Sequence, residues 1–257
     1  MPQEKKHQIP KTTDSMLPAR ILLVLSPLSA GLSMSALMVF CFMGSLNIVD
    51  FELGKTPSLV LDACLCLLFF IQHSIMVRQR YHRWIARWVR NEYHPAIYSI
   101  VSGIMLLILL VFWRETELIA EAGPLMYWLL RLVFVLAIAG FIVNSRSIKG
   151  FDPYGIRELR RYIRGNPPRP APFGVAGAYR WVRHPLYFFT LALIWSCPYL
   201  TGDRIVFNVL STIWITLGSA FEELDLVETF GEDYRNYQKQ VPMLIPYRIH
   251  LFWQKDR

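Results

Sequence analysis

The densest run of chemically capable side chains is Tyr179-x-x-x-Arg183-His184-Pro185-Leu186-Tyr187. A guanidinium can hold a carboxylate, and phenol faces can hold a cation. The His-Pro step interrupts a helix at a fixed place and leaves backbone groups free to meet a ligand. An interfacial belt would also use Tyr, Trp and Arg, but it has no need of that step. A second cluster is acidic: Glu222-Glu223-Leu224-Asp225, then Glu232-Asp233. Carboxylates there can accept hydrogen bonds from amino or hydroxyl groups. A third cluster is Gln72-His73-Ser74, where His73 offers a proton acceptor or an interhelical hydrogen bond. Cys41, Cys64, Cys66 and Cys197 all lie in apolar runs, so neither a metal site nor a disulfide framework is expected. No Gly-x-Gly-x-x-Gly element is present, which excludes the usual soluble dinucleotide fold.

The elements that must position these groups are membrane helices. Of 257 residues, 54% are apolar and 18% are charged, against about 25% charged in typical soluble domains. Runs of about 20 apolar residues cross a bilayer. The spans expected are 21–43, 58–76, 95–113 and 125–143, then a close pair, 186–200 and 205–221. The pair reads as a C-terminal helical hairpin turning at Thr201-Gly202-Asp203-Arg204, with Pro198 in its first arm. The expectation is an all-α polytopic membrane protein: a tail over 1–20, then one membrane domain over 21–257. Residues 174–246 form its chemically active part, and no internal repeat stands out. The long loop 144–183 should hold one basic amphipathic helix over 154–164, then a proline-stiffened linker over 165–174.

Charge placement gives the orientation. The net charge is +8, and 23 of the 27 Lys and Arg residues fall on one side of the six spans. That side holds both termini and the loops after spans two and four, so it should be cytoplasmic. The basic balance is thereby explained by the inner face of a membrane, with no nucleic acid. Within the spans, Asp62 and Arg131 are at matching depths and could form a structural ion pair. The series Ser29, Gly31, Ser33 and Ser35 reads as close helix packing. His7, His82, His94 and His250 read as solvated or headgroup-facing.

The ordered set of the Tyr179 to Tyr187 entry, the Glu222-Glu223 exit and the tail Phe230-Gly231-x-x-Tyr234-x-x-Tyr237 with Val241-Pro242 resembles the isoprenylcysteine carboxyl methyltransferase and phospholipid methyltransferase superfamily. Gln72-His73-Ser74-Ile75-Met76 is similar to its bacterial branch of methanethiol S-methyltransferases and NnrU-like membrane proteins. Phe151 to Arg157 matches that branch only in part, and Asn144 is followed by Ser-Arg where the branch has His-Phe. The resemblance implies a cytoplasmic-facing S-adenosylmethionine site lined by Tyr179, His184, Pro185, Leu186, Tyr187 and Glu222. Arg183 would meet the cofactor carboxylate. Gln72 and His73 would bind a small or lipophilic methyl acceptor arriving through the lipid bilayer, with His73 and Glu222 as catalytic groups. Gly218 stands where the prenylcysteine enzymes carry a substrate-binding Arg. A small thiol is therefore expected ahead of a lipid amine or a prenylcysteine carboxylate. A non-enzymatic NnrU-like protein and a membrane reductase are the rival classes. A bacterial inner membrane is the expected location.

Overall fold

The computed structural model describes residues 16–49, 52–147, 152–166 and 173–247. The sequence-based expectations for the tail up to residue 15, for His7, His250 and Phe151, and for the prolines of 167–172 lie outside them. Five helical segments are long and apolar enough to cross a membrane: α1 (Leu17–Met43), α2 (Lys55–Val77), Asn91–Val111, most of α5 (Pro124–Ser147), and α8 (Gly202–Phe230). The third comprises a 3-10 turn at Asn91–Tyr93 and helix α4 (His94–Val111). Among the described residues the shorter α-helices are α3 (Gln79–Ile85), α6 (Ile156–Ile163), α7 (Pro185–Ile194) and α9 (Glu232–Gln240). Strands β1 (Leu118–Glu121) and β2 (Tyr199–Thr201) pair antiparallel.

The expected span 186–200 is not one helix. Helix α7 has 10 residues, so it rises about 15 Å, half of a hydrocarbon core of about 30 Å. Pro198 lacks an amide hydrogen and disfavours helix at the residue before it, so the helix stops at Ile194 and the chain extends into β2. Conversely, α8 has 29 residues and runs through Glu222 and Glu223 instead of ending before them.

The described residues group into two compact units. The first takes those within 1–37, 71–108 and 152–170. Of the small-residue series of α1, Ser29 makes the expected close helix contact, whereas Gly31 and Ser35 are exposed. The Ser29 hydroxyl donates to the Ile100 carbonyl at 3.1 Å, and a Cβ on Gly103 would collide with Ser29. The expected basic helix forms as α6. The Asp152 carboxylate accepts from the amides of Ile156, Arg157 and Glu158 and so caps it. Its apolar face, Leu159 and Tyr162, packs on Ala19 and Ala96. His94 is not solvated. It is buried, with the His82 ring edge-on at 5.1 Å, and His82 Nε2 lies 2.9 Å from the Met76 carbonyl. A short Asn-Glu-Tyr turn feeds His94 into the helix, which draws it inward.

The second unit takes described residues within 38–70, 109–151 and 171–257. Asp203 opens α8 and is buried. Its carboxylate accepts from Trp113 Nε1 and from the Thr116 amide at 2.9 Å each, and from the Thr116 hydroxyl at 3.0 Å. Arg204 donates to the Phe40 carbonyl at 2.7 Å and lies over the Phe40 ring. Asp62 and Arg131 do not pair with each other. Asp62 accepts from the Arg114 amide at 2.9 Å, whereas Arg131 donates to the Phe42 carbonyl and lies over Phe42 and Tyr127. Backbone groups freed at helix ends sit nearer to each charge than the other charge does, and they satisfy it at that depth. Helix α5 packs closely on α7. A Cβ on Gly140 would overlap the Phe189 ring, so only glycine fits there.

Gly140→Val should therefore push α7 off α5 and cost about 1–3 kcal/mol. Gly218, in open space within α8, provides the control, because Gly218→Ala should be neutral or slightly stabilising. Thermal unfolding in detergent distinguishes them, and equal melting temperatures would contradict the packing described.

Candidate functional site

The site is built in the second unit where α7 begins beside the C-terminal third of α8. A 3-10 turn, Gly177–Arg180, carries Tyr179. The chain then bends through Arg183 and His184, and Pro185 starts α7 with no amide hydrogen to lose. The two preceding amides are taken up by the tail: Arg183 N donates to the Pro242 carbonyl at 2.9 Å, and His184 N to the Met243 carbonyl at 3.1 Å. The tail is held by an aromatic cluster in which Tyr234, Tyr237 and Val241 pack with Phe173, Val175 and Phe230. The Tyr237 hydroxyl donates to the Tyr179 carbonyl at 2.5 Å.

Glu223 is the centre of this arrangement. Its carboxylate accepts from Arg183 Nε at 2.5 Å, from Arg183 Nη2 at 3.0 Å and from Gln238 Nε2 at 2.9 Å. His184 Nε2 lies 3.3 Å from its Oε1. Arg183 Nη1 donates to the Gln238 carbonyl at 2.9 Å and also to the Val241 carbonyl. Glu223 and His184 are buried at 8% and 6% exposure, so these are charge-assisted bonds in a low-dielectric setting. All three nitrogens of the Arg183 guanidinium thus face protein acceptors.

Glu222 points elsewhere. Its side chain is 47% exposed, and its Oε2 accepts from the Tyr187 hydroxyl at 2.9 Å. The Tyr187 ring stacks on the His184 ring at 5.5 Å and 17°. With Nε2 turned to Glu223, His184 Nδ1 faces Glu222 Oε2 at 3.7 Å. Two acceptors at that spacing suit a ligand that brings a shared donor, such as an amino or hydroxyl group. Burial pushes the Tyr179 phenol up from its ordinary pKa; the Asn144 amide opposes that rise and the Glu222 charge adds to it. The second unit therefore brings together Tyr179, Arg183, His184, Pro185, Tyr187 and Glu222, with Leu186 in the first turn of α7.

Gln72 and His73 lie in the first unit. The Tyr98 hydroxyl is 2.7 Å from His73 Nε2, and Gln72 Nε2 donates to the Ser102 hydroxyl at 3.3 Å. Residues 98 and 102 are one helical turn apart, so they present one polar face of α4.

No protein-family model and no solved structure matches the chain. Curated relatives do. Methanethiol S-methyltransferase of Pseudomonas deceptionensis is 34% identical over 191 residues, 74% of this chain and 73% of that protein. Methanethiol S-methyltransferase 1 of Bradyrhizobium diazoefficiens is 30% identical over 206 residues, 77% and 70% respectively. This chain belongs to the methanethiol S-methyltransferase family. Nurim of Rattus norvegicus is a more distant relative, 25% identical over 179 residues, 66% of this chain and 68% of that protein. The family makes this chain a multi-pass membrane methyltransferase, in line with the superfamily resemblance of its motifs.

Sequence reasoning singled out Glu222 and passed over Glu223, Gln238, Tyr98 and Ser102. The missing signal was helical phase. Once α8 is continued past residue 221, Ser219, Glu223 and Leu226 share its inward face, whereas Glu222 is turned about 100° away.

Glu223→Ala leaves Arg183 buried without its carboxylate and should destabilise the fold by about 3–5 kcal/mol. Glu222→Ala removes an exposed group and should leave the melting temperature unchanged within about 1 °C. Differential scanning calorimetry in detergent separates the two, and a Glu223→Ala protein as stable as wild type would refute the clamp.

Proposed function

We propose that this chain transfers a methyl group from S-adenosylmethionine to the sulfur of a small thiol, with methanethiol the thiol named for its relatives. The observation that carries the reading is family membership together with the exposed Glu222 carboxylate beside the half-buried Tyr187 and the buried His184. The donor set suits the cofactor. An exposed carboxylate beside aromatic faces favours a cation, and the two facing acceptors suit its amino or hydroxyl groups. S-adenosylmethionine, when bound, supplies an electrophilic methyl on a sulfonium.

The chain's residues then have distinct roles. Tyr187, His184 and Glu222 bind the cofactor, with Tyr179, Pro185 and Leu186 shaping the entry. Arg183 is reassigned from the cofactor carboxylate to a positioning role, because its guanidinium is spent on Glu223 and tail carbonyls. Gln72 and His73 serve the acceptor. A thiol reacts as thiolate and has a free pKa of about 8.5, so a base that takes its proton raises the reactive fraction. His73 is that base, oriented by Tyr98. A prenylcysteine carboxylate would want a cation, and Gly218 offers none.

We also propose a cell membrane location, a bacterial inner membrane, with both termini and the loop 144–183 cytoplasmic. Six crossings are needed to keep the basic residues together, and α7 is too short for one alone. The segment from Trp195 to Thr201, which turns and then extends as β2, supplies the remaining reach. Their polar backbone is partly paired: Pro198 accepts from the Ala122 amide, and β2 pairs with β1.

Three experiments test these readings. With labelled S-adenosylmethionine, purified protein should convert methanethiol into a labelled volatile sulfide, and His73→Ala should lose this product. Methylation of phosphatidylethanolamine or a prenylcysteine analogue instead, unaffected by His73→Ala, would overturn the acceptor assignment. In calorimetry, S-adenosylhomocysteine should bind Glu222→Ala about tenfold more weakly than wild type and Glu232→Ala equally well. Reporter fusions at Gly202 and at the C-terminus should give opposite signals, and matching signals would remove the six-crossing topology.

A further inference from the structure

Asn144 lies in the last turn of α5 and is 2% exposed. Neither its amide oxygen nor its amide nitrogen has a hydrogen-bond partner. A buried amide with both ends unpaired costs stability, and nothing in the fold is gained by it. Its polar neighbour is the half-buried Tyr179 phenol, which interacts with the amide without reaching hydrogen-bond geometry and also feels the Glu222 charge. Asn144 thus belongs with Tyr179 and Glu222 in the second unit.

The amide presents one donor and one acceptor in a plane, so its partner must present an acceptor and a donor in a plane. A small thiol has one weak donor and cannot satisfy both ends. A charged amino-acid moiety is poorly served by a neutral amide buried among apolar helices. An adenine edge has the required pair, its N6 amino group beside a ring nitrogen, and a flat base can lie along the Tyr179 ring once that side chain turns aside. We propose that Asn144 recognises the adenine of the cofactor, accepting from the N6 amino group and donating to a ring nitrogen. This rests on the S-adenosylmethionine reading above.

The test is calorimetric binding of S-adenosylhomocysteine and of its analogue lacking the N6 amino group, in detergent, to wild type and Asn144→Ala. Wild type should bind the deaminated analogue about tenfold more weakly, since it loses one half of a paired contact. Asn144→Ala should bind both ligands with similar, weakened affinity, and should melt no lower than wild type because it removes unpaired polar atoms. Equal binding of the two ligands by wild type would overturn the adenine assignment while leaving the cofactor reading intact, and it needs no variant to fold. Loss of affinity with a lowered melting temperature and a retained preference for the amino group would also overturn it, showing a structural role only. Failure of wild type to bind S-adenosylhomocysteine at all would remove both readings.

Discussion

A buried carboxylate needs partners on every side, and Glu223 finds them in two separate stretches of chain, 183–184 and α9. Arg183 comes from the approach to α7, His184 from its cap, Gln238 from α9, and the peptide carbonyls of Gln238 and Val241 share the same guanidinium. Removing either Arg183 or Glu223 strands the other's charge, which is costly. This demand fixes the entry to α7 against the tail. It also turns the imidazole so that its second nitrogen faces Glu222. The chemistry proposed for the exposed surface thus depends on a neighbouring glutamate that takes no part in it.

The same rule governs the other polar groups of the second unit. Asp203 is satisfied by an indole, a hydroxyl and an amide, and Arg204 by a carbonyl and a ring. Phe40, Trp113 and Phe207 form an edge-to-face triangle among them. Charges that look like candidates for ion pairing in the sequence are absorbed by helix ends and aromatic faces, because those are what the folded chain offers at that depth.

Much of this was legible in the sequence. Apolar length announced α1, α2, α4, α5 and α8, and the small residues of α1 announced close packing that Ser29 and Gly103 realise. The basic amphipathic turn after Gly155 appeared as α6. What was not legible followed from competition between signals. Apolarity continues through Trp195 to Leu200, so composition alone overran the proline that ends α7. Acidity at Glu222 suggested a helix end, yet α8 continues, and only its phase separates the exposed glutamate from the buried one. Pairing of Asp62 with Arg131 was inferred from depth, but depth carries no information about which backbone carbonyls and amides stand nearer.

The bend at Gly231 shows what one recurring string of letters means. Its φ of 58° favours glycine, and Phe230, Tyr234 and Tyr237 on either side pack into one aromatic cluster. Phe-Gly-x-x-Tyr-x-x-Tyr is therefore spelled by stereochemistry and packing, not by catalysis. In the course of evolution a descendant could abandon methyl transfer and still be obliged to keep this spelling, as long as it kept the corner between α8 and α9. The string is a signature of ancestry and architecture. A pseudoenzyme would instead be marked by the fate of the groups proposed for the chemistry, such as the exposed Glu222, which the Arg183 clamp does not use.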